Sequence, residues 1–352
     1  YISLFGAVVC LFLMFQIDPL YAILSLGVMA GLYRFISRTR GVEGQDLAEM
    51  FEGAMSQLTR FLHLKLQVRS RHEKAREWRP SVIMVNSRTF DRRAPLELLR
   101  WICHRYGFGT YLHYVPGKLN RTTNRESVKQ RDRLLEMAEK QSLAVYMDTI
   151  VSPSMESALA QSLQLPGVSG VPNNSIMFEF SDSDEEGILQ EVVHSSMFCL
   201  GANMTLMVLR HGAYHFGDKQ SIHIWLTWND RANANVMILL SYILLGHPEW
   251  NGAEISVFAA LPKDQIDTQR EEMEALIGDG RLPISEKNIQ FLATDDLESF
   301  KKLVIKNSSD ADLTLIGFDQ TGLKQRKADL FQNHPELRCV LFVCAAEAIQ
   351  ID

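Results

Sequence analysis

The sequence predicts an α/β protein made of two similar halves, each a mostly parallel five-stranded sheet flanked by helices, preceded by a transmembrane helical hairpin. Three observations predict it. Residues 1–36 are apolar almost throughout, with Asp18 as the one acid and no base before Arg34. From residue 80, short apolar runs alternate with longer amphipathic ones, as strands joined by helical crossovers do. After Gly212 and Gly217 the same alternation starts again.

The opening run is longer than the roughly 20 residues a bilayer core needs, and a single helix would put Asp18 at its centre. Asp18-Pro19 divides it better, because proline suits the first turn of a helix and the aspartate can cap it. The halves, 2–17 and 19–36, would each span roughly 24–27 Å at 1.5 Å per residue. The first would then be clipped at its start. Arg34, Arg38 and Arg40 follow, and the positive-inside tendency makes the carboxy-terminal side cytoplasmic. The expected location is a multi-pass cell-membrane protein with everything after about residue 37 in the cytoplasm. Gly27 and Gly31 offer a small-xxx-small surface to another helix.

Residues 37–79 read as a linker. Within it, Leu47, Met50, Phe51, Ala54, Met55, Leu58 and Leu62 keep the three–four spacing of an amphipathic helix over about 45–75, whose second half turns basic. It suits a scaffold helix or one lying on anionic lipid. The first α/β half, 80–212, then reads as strand Ser81–Val85, helix 94–106, strand Thr110–Val115, helix 122–141, strand Leu143–Val151, helix 153–165, strand Ser175–Phe180, helix 182–201 and strand Met204–Leu209. Acids at Asp182, Asp184, Glu185 and Glu186 suit the positive end of the last helix. The second half, 213–352, repeats the order. Its strands are Ser221–Trp228, Ile255–Ala260, Asn288–Leu292, Leu313–Gly317 and Arg338–Val343. Its helices are 232–246, 264–278, 295–306 and 320–333. The repeat is one of element order only.

A formal charge of −6 over 352 residues, with no basic stripe, gives no footprint for nucleic acid. Five cysteines are scattered without the two-residue spacing of zinc or redox motifs, which points to a reducing compartment. Cys339 and Cys344 are an odd number of residues apart in a strand, so they fall on opposite faces.

Several segments carry a resemblance. The hairpin, the linker ending Trp78-Arg79-Pro80 and the strand Val82–Val85 resemble, in order, the end of the cation–chloride cotransporter family. So do Gln164–Ser175 before Ile176–Glu179, Ile222–Asp230 with the apolar helix to Leu245, and Trp250–Phe258 with Asp267–Arg270. The compact loops suggest a prokaryotic-type member. The resemblance implies electroneutral movement of chloride with potassium or sodium by membrane helices outside this chain. It also implies two cytoplasmic halves similar to universal stress proteins, a homodimer, and contact with the chain's own transporter body. The regulatory part would act by dimerising and biasing the transport cycle. An alternative is a nucleotide-sensing domain of the stress-protein type, tethered to an amino-acid-permease-like transporter.

No catalytic, cofactor or metal residue is expected. Gly167 and Gly170 have phosphate-loop spacing but precede strand Ser175–Phe180, and the acids at Asp182 to Glu186 after it would repel a phosphate. Gly317 and Gly322 follow the fourth strand of the second half without a longer Gly-Ser continuation. His211 and His215 are four apart, but Gly212 and Gly217 make the segment a turn, so hairpin surface is the default. Ser195 and Ser196 beside His194 lie mid-helix, where adjacent residues do not face one another. The sequons at Asn120, Asn173, Asn203 and Asn307 matter only in a translocated chain. No acid, base and nucleophile converge, so an enzyme is not expected.

Overall fold

The structure is a computed structural model that describes residues 2–39, 45–69, 78–141, 143–168, 172–212, 215–227, 231–263, 266–267, 270, 286–294, 296–332 and 334–349. The chain divides into two compact units, 1–65 and 66–352.

The first unit opens with helices α1 (Ile2–Ile17) and α2 (Pro19–Thr39). They meet where the Asp-Pro pair predicts: Asp18 Oδ1 accepts hydrogen bonds from the N–H groups of Leu20 at 3.0 Å and Tyr21 at 3.3 Å. The transmembrane expectation is corrected. Among the described residues no helix is long and apolar enough to cross a membrane. The 16 residues of α1 reach about 24 Å against a core of about 30 Å. In α2 the apolar run is cut by Arg34 well before the helix ends. Helix α3 (Gln45–Arg69) forms within the expected linker, with Met55, Leu58, Phe61 and Leu62 exposed.

In the second unit, ten strands among the described residues form one sheet: β1 (Ser81–Asn86), β2 (Phe108–Pro116), β3 (Tyr146–Ser152), β4 (Ser175–Ser181), β5 (Thr205–His211), β6 (Ser221–Thr227), β7 (Glu254–Leu261), β8 (Ile289–Ala293), β9 (Leu313–Gly317) and β10 (Cys339–Cys344). The order is β3-β2-β1-β4-β5-β10-β9-β6-β7-β8. Every pairing is parallel except that of β5 with β10. Each half therefore has the strand order 3-2-1-4-5 in its own count, and the halves meet through their fifth strands.

This departs from the expected two separate sheets. Both β5 and β10 are buried along their whole length, so an open edge on either would expose unpaired backbone groups beside apolar side chains. Antiparallel pairing of Leu209 with Leu341 and Met207 with Val343 removes both edges at once.

Helices cover both faces. Leu98 and Leu99 of α4 (Ala94–Ile102), Leu134 of α5 (Arg121–Gln141) and Leu240 of α8 (Arg231–Leu245) join one core. The other core takes Leu159 of α6 (Met155–Leu163), Val192 of α7 (Glu186–Leu200), Val304 of α9 (Leu297–Ser308) and Leu323 of α10 (Gln320–Arg326). Phe331 of the short α11 (Asp329–Gln332) joins them. Each core draws on both halves. Cys339 lies in the first core and Cys344 in the second, as their odd offset predicts.

Three boundaries move for local reasons. The helix expected over 94–106 ends at Ile102, and 320–333 is broken into α10 and α11 where Lys327 takes φ 47°. Helix α7 starts only at Glu186, because Asp184 turns back to accept from the Ser181 N–H at 2.8 Å. Most of the helix expected over 264–278 lies outside the described residues.

Candidate functional site

In parallel sheets, crevices open beyond the carboxyl ends of the strands where neighbouring crossovers leave towards opposite faces. This strand order makes two such points, between β1 and β4 and between β6 and β9. The two are filled differently.

At the first, side chains occupy the crevice. Glu179 of β4 is buried and accepts hydrogen bonds from Asn86 Nδ2 at 2.9 Å, Arg92 Nη1 at 2.8 Å and His211 Nε2 at 3.0 Å. Asp184 binds Arg92 and, at 3.1 Å, Arg88. Arg210, 1% exposed, donates to both carboxylate oxygens of Asp182 and to the carbonyl of Leu337. Burial alone would raise the pKa of Glu179, but hydrogen bonds from His211 and Arg92, with the charge of Arg92, hold it below the usual carboxylate range. Asp184 is held low in the same way, chiefly by Arg92 against its own desolvation. The cavity left here is about 40 Å³.

Two expectations are corrected at this point. The acids after β4 are not a bare negative patch, since Asp182 and Asp184 are paired with arginines. His211 is not hairpin surface: it ends β5, buried against Glu179, while His215 is exposed with its ring 6.1 Å away.

The second crevice is open, with a volume of about 570 Å³. Phe300, Phe318 and Phe342 line it, with Ile316 and Leu330 between them. Asp296 caps α9 by accepting from Ser299 N–H at 2.7 Å, and Asp319 caps α10 by accepting from Gly322 N–H at 2.6 Å. Lys301 and Arg326 also reach the lining. Gly317 and Gly322 both belong to it. A Cβ at Gly322 would come within 2.8 Å of Asp319 Oδ1, so this glycine makes room for a carboxylate from the protein itself. At the back, His334 is 4% exposed and its Nδ1 has no hydrogen-bond partner among the described residues. Burial, then the charges of Arg210 and Lys301, push its pKa down to about 4.

The other sequence candidates do not assemble. Gly167 lies in a loop closed by a bridge between Pro166 and Pro172, and Gly170 is outside the described residues. Ser195 and Ser196 are buried within α7, whereas His194 is exposed and pairs with Glu156 at 3.3 Å. Burial raises the Cys199 and Cys339 thiols to about 12, which keeps them protonated at neutral pH. Among the described residues no group of three or more His, Cys, Asp or Glu could hold a metal. Sequence reasoning missed Arg88, Arg92, Glu179, Arg210 and His334. A signal existed for Glu179, a lone acid in the otherwise apolar run Ile176–Phe180.

No family model matches the chain. Potassium/chloride cotransporter 3 of Caenorhabditis elegans is 21% identical over 293 residues, covering 78% of this chain and 26% of the worm protein. The cytoplasmic domain of a prokaryotic cation chloride cotransporter matches in structure with a TM-score of 0.51 at 14% identity, over 78% of this chain and 98% of that one. The chain is homologous to the cation–chloride cotransporters. This cotransporter homologue spans about a quarter of the length of the curated relative. It also shares its fold with a protein of Pseudomonas aeruginosa UCBPP-PA14 designated a universal stress protein, at a TM-score of 0.50 and 13% identity, over 75% of this chain and 92% of that one.

Proposed function

We propose that residues 80–352 are the cytoplasmic regulatory and dimerisation domain of a secondary-active cation–chloride cotransporter, non-enzymatic in itself. Potassium or sodium would move with chloride, electroneutrally, through membrane helices outside this chain. The observation that carries the reading is a likeness seen in both sequence and fold. The sequence aligns with a potassium/chloride cotransporter, and the doubled 3-2-1-4-5 sheet superposes on nearly all of a cotransporter's cytoplasmic domain. The site geometry supports it too. One crevice is closed by paired charges, with Glu179 held by Arg92 and His211.

Such a domain acts by contact. A coupling free energy between its assembly state and the transport cycle would bias flux without touching the ions. The test is deletion of residues 80–352 from the complete transporter, followed by rubidium and chloride flux and by cross-linking of dimers. Altered flux or a weakened dimer, with ion preference unchanged, is expected. Flux and dimer both equal to the parent protein would reject the reading.

A further inference from the structure

Between α8 and β7 the chain passes through Asn251-Gly252, the one Asn-Gly pair in its 352 residues. Asparagine is among the side chains whose covalent form is least durable. A glycine after it leaves the next amide nitrogen unshielded, because glycine has no Cβ. Asn120 shows the contrast. It is followed by Arg121, and its Oδ1 already accepts from the N–H groups of Thr122 at 2.8 Å and Thr123 at 3.1 Å.

The surroundings of the pair are open. Asn251 (φ −65°, ψ 119°) and Gly252 (φ 93°) are the central residues of a type II turn, closed by the Ala253 N–H donating to the Trp250 carbonyl at 3.0 Å. Both residues are exposed. Among the described residues neither the Asn251 side-chain amide nor the Gly252 N–H has a hydrogen-bond partner. A Cβ at Gly252 would meet nothing within 4 Å, so no packed neighbour pins this glycine in place. Rotation about ψ of Asn251 brings the glycine nitrogen to the side-chain amide carbon and opens the turn-closing bond.

We propose that Asn251 is a site of spontaneous deamidation in the folded chain, and that its isoaspartyl product loosens the join between the two halves. The Gly252 nitrogen attacks Asn251 Cγ, its proton leaves with the side-chain NH2 as ammonia, and a cyclic succinimide forms. Water then reopens the ring. Hydrolysis at Cγ gives aspartate, and hydrolysis at the main-chain carbonyl carbon gives isoaspartate, whose main chain runs through Cβ. A water is consumed and an ammonia released, with no change of oxidation state. Isoaspartate lengthens the main chain by a CH2 between Trp250 and β7. Trp250 is fully buried against Trp101 of the first half, with ring centroids 5.4 Å apart, and Glu249 beside it holds Arg100 and Lys219. The lengthened turn displaces these contacts. Deamidation there does not depend on whether residues 80–352 dimerise or regulate flux.

Ageing of the folded chain at mildly alkaline pH, followed by peptide mapping with enzymatic methylation of isoaspartate, tests it. The peptide holding Asn251 is expected to convert to its acid forms at least tenfold faster than any other asparagine peptide, with isoaspartate the larger product. Gly252→Ala, which puts a Cβ beside the attacking nitrogen, should slow the conversion tenfold or more. The aged parent should unfold at a lower urea midpoint. Aged Asn251→Ser, which lacks the reacting amide, and fresh Asn251→Asp, which adds the charge without the CH2, should each keep the midpoint of the fresh parent. Conversion confined to the urea-unfolded chain, conversion indifferent to Gly252→Ala, or a midpoint lowered equally in aged Asn251→Ser or fresh Asn251→Asp would each overturn the proposal.

Discussion

Glu179 and His211 face each other across the ends of β4 and β5, with Oε2 3.0 Å from Nε2 and both side chains nearly sealed from solvent. The same carboxylate holds Asn86 and Arg92, so one group ties β1, β4, β5 and the loop before α4 together. Removing one partner of a buried charge pair typically costs about 3–5 kcal/mol, because the other is left unpaired. Glu179→Gln is expected to lower stability by about 3 kcal/mol in urea denaturation at neutral pH. A loss below about 1 kcal/mol would mean that Arg92 and Asp184 hold the region without it.

The seam between the halves depends on packing more than on charge. Trp101 of α4 meets Phe216 edge-on at 4.7 Å and Trp250 at 5.4 Å, all three nearly fully buried. Trp250→Ala should cost about 3–5 kcal/mol. Beside this cluster Arg100 pairs with Glu249, whose carboxyl is held down at about 2 by Lys219 and Arg100 despite its partial burial. Both partners are partly exposed, so a double-mutant cycle on Arg100 and Glu249 should give no more than about 1 kcal/mol. The reverse ranking would show that charge dominates the seam.

Stability should fall with acidification in two stages. His334 has a pKa near 4 in the folded chain, against about 6.5 unfolded. Between these values the unfolded chain takes up a proton that the folded chain refuses. The stabilisation is complete above about pH 6.5, declines as pH drops and is fully lost by about pH 4. His113, His223 and His247 are also shifted down by burial and act in the same direction. Glu179 and Asp184, both depressed, contribute above the unfolded carboxylate range and lose that contribution at lower pH still. The wild type minus His334→Phe stability difference should therefore slope by up to about 1.4 kcal/mol per pH unit between pH 6.5 and 4. A flat difference would place the proton elsewhere.

Gly217 occupies the left-handed region at φ 50°, and a Cβ there would collide with the Asp312 carboxylate and Arg338. Asp312 is itself buried and accepts from Gln220 N–H at 2.7 Å and from Arg338. Gly217→Ala should destabilise by about 1–3 kcal/mol through strain and displacement of that carboxylate. Equal denaturation midpoints for variant and parent would contradict the crowding.

The elements were legible because their signals are local. Alternation over a few residues marks β2 and β6, Asp18-Pro19 marks the start of α2, and the apolar runs Leu206–Leu209 of β5 and Val340–Val343 of β10 mark buried strands. The candidate site was read poorly. Gly317 ends the fourth strand of its half and Gly322 follows it, but spacing cannot show that Asp319 fills the place next to Gly322. His334 gave no pattern at all, because its role comes from burial against Arg210 and Lys301.

By itself the amino-acid order determined the identity and succession of strands and helices, and the likeness to the cotransporters, since periodicity and short segments are carried by neighbours in the chain. Only the tertiary structure decided that two sheets are one, that the first crevice is closed and that the second is open. Those outcomes rest on partners such as Arg92 and Asp184, 92 residues apart, and on strands β5 and β10, far apart in the chain. Which distant groups meet is settled by the free energy of burying edges and charges together, and no local pattern encodes it.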